Sequence, residues 1–412
     1  MTNESSLPGF VETLNKGLLL DATKLGREAL ACFQAYQFTQ FEQGAAVSEL
    51  IKERSTYIDQ VLKKIWKHFI KDEQGVSLLA VGGYGRQELL PFSDIDILIL
   101  INENFKKNVQ LSDFITFLWD LGFDLGHSVR TIHDCFTEGQ KNVSTATSLL
   151  ESRWISGNYD LYEQMQSVWN HPDFWPSKAF FIAKVEEQEV RNKRFNDTVY
   201  QLEPNIKESP GGLRDIQTIY WVAKRHFSAS SINELIQHSF LSSEEFCEIE
   251  AAYRFLNRVR FALHHMKKRR EDRLQFDNQQ HIAEMFGYQD TPEKMAVEQF
   301  MSSYYRNVQN VLKINEILLQ HFREELFKTQ RPQIISINRQ FRLIDQYLDI
   351  KYPEVFKNNP TALLEVFIIL ENYPNIEGIR SNTIRAIRED LCLIDEDFRH
   401  DPINKALFIE IF

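Results

Sequence analysis

Apolar residues at Val47, Leu50, Ile51, Ile58, Val61, Leu62 and Ile65 recur at helical intervals with charges between them. That spacing predicts an amphipathic helix over 46–70. A short apolar run follows at Val76–Val81, ending at glycine, and a second, almost wholly apolar run spans Ile95–Ile101. Both read as strands, and the second reads as one covered on both faces. A helix is expected from Ser112 to about Leu121 and a third strand over Phe123–Ile132. Beyond residue 143 the period changes. Long helical patterns occupy 178–196, 213–227, 243–268 and 292–326, with polar hinges such as Glu203–Gly212. The expected architecture is therefore α+β: a helical segment over 1–45, a small mixed-sheet domain over 46–142, an all-helical domain over 143–330, and a further helical segment over 331–412. The apolar helical pattern at Ala406, Leu407, Phe408 and Ile411 runs to the end without a cap or polar tail, so a truncated chain is the expectation.

Composition narrows the possibilities. The 412 residues are 43% hydrophobic and 25% charged, which is ordinary for a globular protein of two or three domains. A net charge of −11 argues against a broad basic face for nucleic acid, while leaving room for a local basic pocket. Cys32, Cys135, Cys247 and Cys392 have no metal-ligand spacing, so reduced thiols and a cytoplasmic location are expected. The first ten residues lack a leader pattern, and no apolar run reaches the roughly eighteen residues a membrane span needs.

Candidate chemistry concentrates at 82–100, GGYGRQELLPFSDIDILIL. Gly82, Gly83 and Gly85 allow a sharp turn whose backbone can approach phosphate oxygens, and Arg86 is placed to reach one. Tyr84 reads as a packing residue, and Glu88 as a surface partner for Arg86. Side chains alternate along a strand, so Asp94 and Asp96 share one face while Ile95 and Ile97 take the other. Two carboxylates beside such a loop suit Mg²⁺ carrying a nucleotide. A lone double-glycine turn or a lone Asp-x-Asp is more often structural. It is their conjunction between two apolar strands that points to a site. The Walker A pattern is missing, and no helix with a distal acid follows the turn as in a dinucleotide fingerprint.

This stretch resembles the signature of the polymerase-β-type nucleotidyltransferase superfamily. The fuller string is similar to the bacterial PII uridylyltransferase/uridylyl-removing enzymes. The similarity continues through LWDLGFDLGHSVRT (118–131), TATSLLESRWISG (145–157), NDTVYQLEPNIKESPGGLRDIQTIYWVAKRHF (196–227) and RVRFALHHMKKRREDRLQFDNQQHIAEMFGY (258–288). The resemblance implies a polymerase-β-like domain followed by an associated helical domain. It implies transfer of UMP from UTP to a tyrosine of the PII signalling protein, with Mg²⁺ or Mn²⁺ held by Asp94 and Asp96, and Ser93 joining the turn in cradling phosphates. A third carboxylate is usual in the superfamily; Asp124 is the first candidate here and Glu151 the second. His127 reads as a structural histidine. Members also carry an HD hydrolase domain and glutamine-sensing ACT domains, neither of which has a pattern in this sequence; the pairs His133-Asp134 and His400-Asp401 are not that HD site. Neither removal of UMP nor a glutamine response is therefore expected of this chain.

Asn205–Asp215 is a second glycine-rich turn, leading into a helix. Lys207, Arg214 and a helix N-terminus there suit an anion, against the simpler reading of a plain helix start. Lys267–Arg270 reads as a solvated helix end. Two alternatives to PII uridylylation stand: a nucleotidyltransferase that uses ATP or modifies another protein or small-molecule hydroxyl, and a non-catalytic nucleotide-binding signalling module.

Overall fold

A computed structural model describes residues 6–103, 105, 109–229 and 231–411. Residues 1–5, on which the leader reading rests in part, and the terminal Phe412 lie outside the described residues. Contacts divide the chain into two compact units: the described residues up to Glu234 with Glu244–Leu312, and Leu235–Ser243 with those from Lys313 onward.

The first unit is built on a four-stranded mixed sheet. Its strands are β1 (Val76–Ala80), β2 (Ile95–Ile101), β3 (Leu125–Arg130) and β4 (Arg153–Gly157), in the order β3-β2-β1-β4. β1 runs antiparallel to β2 and β4, whereas β2 and β3 are parallel, with Asp96 opposite Gly126. The apolar composition of β2 has its reason here. Ile95, Ile97 and Ile99 pack with Ile65, Trp66, Phe114 and Leu118 on one side. Leu98 and Leu100 pack with Leu149, Met165, Phe180 and Trp221 on the other. The amphipathic helix expected over 46–70 forms as Val47–Phe69, burying Leu50, Ile51, Ile58, Leu62 and Ile65. Each such side chain contributes about 1.5–3 kcal/mol of burial. The long helices form at Ser177–Lys193, Leu213–Phe227, Ser243–Lys267 and Ala296–Leu326, close to the boundaries the pattern predicts.

Beyond residue 143 the chain is not purely helical. β4 completes the first sheet, and the second unit has a sheet of its own: β5 (Ile334–Ser336), β6 (Phe341–Ile344), β7 (Tyr347–Ile350) and β8 (Gly378–Ile379), in sequential order. β6 and β7 form a hairpin turned at Asp345 and Gln346, both left-handed at φ 47° and 70°. Asn-Gly or Asp-Gly is the usual signal for that two-residue turn. With glutamine in the second place, the hairpin leaves little trace in the sequence. Among the described residues, no helix is long and apolar enough to cross a membrane.

Candidate active site

β1 ends in a four-residue helical turn, Gly82–Gly85, and the chain returns through 86–94 to start β2. Gln87 and Phe92 in that return are left-handed, at φ 61° and 60°, and hold the segment in a tight path. Gly82 is left-handed too, at φ 59°, and a Cβ there would stand 3.1 Å from Asp96 Oδ2. The turn and the Asp-x-Asp strand therefore meet as their spacing suggests. Gly82→Ala is expected to lower stability by about 1–2 kcal/mol through backbone strain and crowding of the carboxylate. An unchanged midpoint in urea denaturation would contradict that packing.

A cavity of about 320 Å³ opens at this corner of the sheet. Gly82, Gly83, Arg86, Ser93, Asp94, Asp96, Lys207 and Arg214 all line it. Gly85 does not: a Cβ there would strike the Glu151 carbonyl, so this glycine serves the close packing of the turn on the start of β4. Asp124 also lies outside the lining; it is exposed just before β3, and its carbonyl accepts from the Ile95 N–H at 2.8 Å. Glu151 lines the cavity but is nearly buried, accepting from Arg86 and from the Trp221 indole N–H. Its role here is to hold Arg86. The guanidinium also bonds Glu88 at 2.7 Å, and Glu88 accepts from the Tyr253 hydroxyl at 2.9 Å. Arg86 thus enters the cavity already neutralised; burial works against its charge, but the two carboxylates raise its pKa above the usual value. Tyr84 is fully buried, as expected, and donates to Asp59 at 2.6 Å. His127 is exposed, packed edge-to-face on Trp119 at 5.5 Å. Asp134 caps a helix through a reciprocal pair of bonds with Thr131.

The electrostatics distinguish the two aspartates. Burial, then the Asp94 carboxylate and to a smaller degree Asp124, push Asp96 up to about 6, against the pull of Lys207 and Arg270. Asp94 accepts from Arg270 at 2.9 Å, so Arg270 is not simply part of a solvated helix end. Both partners of that pair are about two-fifths exposed, which makes it worth little to stability, though it offsets charge where two carboxylates crowd. Lys207 is half-buried and, among the described residues, is the cation of this lining with no carboxylate in ion-pair reach. Burial, with Arg260 and Arg214 nearby, lowers its ammonium to about 8. Arg214 is bonded to Glu208 at 3.0 Å and to Gln217 at 2.9 Å.

The Asn205–Asp215 turn reaches the cavity through side chains and not through a free helix end. The Gly211 N–H goes to Asp215 Oδ2, and those of Gly212, Leu213 and Arg214 go to the carbonyls of Ser209, Ile206 and Lys207. Those donors are spent within the turn itself. Pairing of the Ile206 N–H with Asp272 O, and of the Leu274 N–H with Pro204 O, ties the turn to the basic segment carrying Arg270. Lys184 also lines the cavity without any signal in the sequence. It is buried, with Nζ 2.9 Å from Glu187 and 3.9 Å from the centre of the Trp221 ring.

Two carboxylates, one of them raised in pKa first by burial and then by the other, form a place where a cation relieves repulsion. Among the described residues, no group of three or more His, Cys, Asp or Glu side chains is arranged to hold a metal. An open two-carboxylate site fits an ion that keeps waters and takes phosphate oxygens as its remaining ligands.

Comparison with known proteins gives matches along most of the chain. The nucleotidyltransferase-domain family matches residues 62–153, the GlnD PII-uridylyltransferase family residues 179–319, and the third domain of uridylyltransferase GlnD residues 341–412. Over most of its length the chain is similar to the PII uridylyltransferases. It is 57% identical, over 98% of its length, to the bifunctional uridylyltransferase/uridylyl-removing enzyme of Hydrogenovibrio crunogenus, and covers 46% of that protein. Identity to the enzymes of the same description from Pseudomonas aeruginosa and Azotobacter vinelandii is 43% and 42%, over 94% of the chain and 43% of each relative. The chain thus spans less than half the length of these curated relatives. The PII-uridylyltransferase match covers Lys184, Lys207, Arg214 and Arg270, and the nucleotidyltransferase match covers both aspartates, so the cavity is lined from both.

Proposed function

We propose that this chain transfers UMP from UTP to a tyrosine hydroxyl of a PII protein, with release of pyrophosphate, in the cytoplasm. One observation carries the reading: Asp94 and Asp96 face the Gly82–Gly83 turn in a cavity that also holds Lys207 and Arg214. The names of the relatives support uridine and PII as donor and acceptor.

In the transfer, the tyrosyl oxygen bonds to the α-phosphorus as the bond to the bridging oxygen breaks. Pyrophosphate leaves with that electron pair, and the phenolic proton goes to water. Asp94 and Asp96 would hold Mg²⁺, or Mn²⁺ in its place, which supplies neutralisation of phosphate charge and activation of the attacking oxygen. Lys207 and Arg214 bind the departing phosphates, and Gly82, Gly83 and Ser93 orient them. Such chemistry depends on position and charge far more than on covalent help from the protein. Arg86, fixed by Glu88 and Glu151, keeps the turn in place.

The test is direct. With Mg²⁺ and UTP labelled at the α-phosphate, the protein is expected to label PII. UTP at about a hundred times its dissociation constant should stabilise the fold by about 2.7 kcal/mol, with ATP, CTP and GTP giving less. No label on PII, or an equal thermal shift with all four nucleotides, would refute the uridylyltransferase reading.

A further inference from the structure

A second groove, of about 260 Å³, meets the cavity at Asp96. Asp96, Ser144 and Ser148 line both spaces, while Lys207 and Arg214 line only the first, and Gly126, Ser128 and Thr145 only the second. Asp96 therefore stands at the boundary between a space rich in cations and a space walled by glycine and hydroxyls. The second space exists because position 126 is glycine: a Cβ there would lie 2.1 Å from Asp96 Oδ1.

We infer that this groove admits the acceptor, a tyrosine-bearing extended protein segment, to the side of the α-phosphorus away from the leaving pyrophosphate. The inference rests on the transfer reaction proposed above. In-line displacement places the attacking and leaving oxygens on opposite sides of phosphorus. If Lys207 and Arg214 take the departing phosphates, attack comes from across Asp96, where the groove opens. Two features fit a peptide. β3 is the terminal strand of its sheet, and such an edge offers backbone donors and acceptors to an extended segment. Among the described residues Arg130 is the one fixed cation of the groove lining, too few for a phosphodiester strand, whose affinity comes from several phosphate contacts.

Thr145 and Ser128 line the groove and not the cavity, which makes them suitable probes. Thr145→Trp fills the groove, and Ser128→Asp changes its charge on the sheet face that carries Asp96. In either variant the KM for PII is expected to rise at least about tenfold, with the KM for UTP within about twofold of wild type. The thermal shift with UTP and Mg²⁺ should remain, which also shows that the variant is folded. Lys207→Ala should give the reverse pattern, a raised KM for UTP at an unchanged KM for PII. Variants that saturate at the wild-type PII concentration, or in which both KM values rise together, would overturn the groove assignment while leaving the uridylyltransferase reading intact. A wild-type protein that labels no PII would overturn both.

Discussion

The double variant Asp94→Asn/Asp96→Asn is expected to lose nucleotidyl transfer by on the order of a thousandfold or more, while remaining folded. Both side chains line the cavity, and neither is part of the apolar core. Their removal deletes the carboxylates proposed to hold the metal and leaves the packing of β2 untouched. Stability should move the other way from activity. In the folded protein the Asp96 carboxyl titrates near 6, above its ordinary value of 3.8, because burial and Asp94 disfavour its charge. A raised carboxyl favours folding fully below its unfolded pKa and loses that contribution as pH rises through the folded one. Asparagine at 96 should therefore stabilise the protein by about 1 kcal/mol at pH 8, a value discounted because the carboxylate is partly open to water. The gain should fade toward pH 4. Denaturant melts across that range, beside the PII labelling assay, check both halves. A variant that labels PII at the wild-type rate would remove the metal role, and one that unfolds would show the pair to be structural. Asp124→Asn gives the contrast. With its exposed position outside the cavity lining, it should cost less than about tenfold.

What the sequence revealed and what it hid divide along the range of the interactions. Asp94 and Asp96 were legible because alternation along a strand is a two-residue rule, and the apolar run after them marks the strand. The helix Val47–Phe69 was legible for the same reason at a different period. Arg270 was not, because it meets Asp94 across 176 positions, and a basic helix end looks alike whether solvated or docked. Lys184 and Trp221 sit on helices whose apolar faces predict burial but not which cavity they border. The Pro210–Gly212 turn misled in a more instructive way. Its glycines do mark a helix start, but the N–H groups that would attract an anion are taken by Asp215 and by carbonyls of the same turn. Composition locates such donors and cannot say which acceptor reaches them first. The hairpin at 341–350 was hidden by its Asp345-Gln346 turn, whose left-handed geometry is set by the strands it joins.

The pair Arg191–Asp215 carries the largest expected effect on stability. Asp215 has no exposure and Arg191 very little, and their side chains form an ion pair beside the turn that presents Lys207 and Arg214. Burial pushes the Asp215 carboxyl up to about 6, while the Arg191 charge and the Gly211 N–H pull it down. Asp215→Ala would leave a buried guanidinium without this partner and the Gly211 N–H without its acceptor at 2.7 Å. Breaking one side of a buried pair costs about 3–5 kcal/mol, much of it from stranding the remaining charge. The loss should appear as a lower denaturation midpoint and as a raised KM for UTP, since the turn places two proposed phosphate ligands. The double variant Arg191→Met/Asp215→Leu separates these effects. Exchanging both charges for apolar groups of similar size removes the stranded charge, so a substantial part of the stability should return. The KM for UTP should stay raised, because the acceptor that fixes Gly211 is still missing. If the single variant melts like wild type, the pair does not hold the turn. Recovery of both stability and KM in the double variant would instead place the anchoring in packing alone.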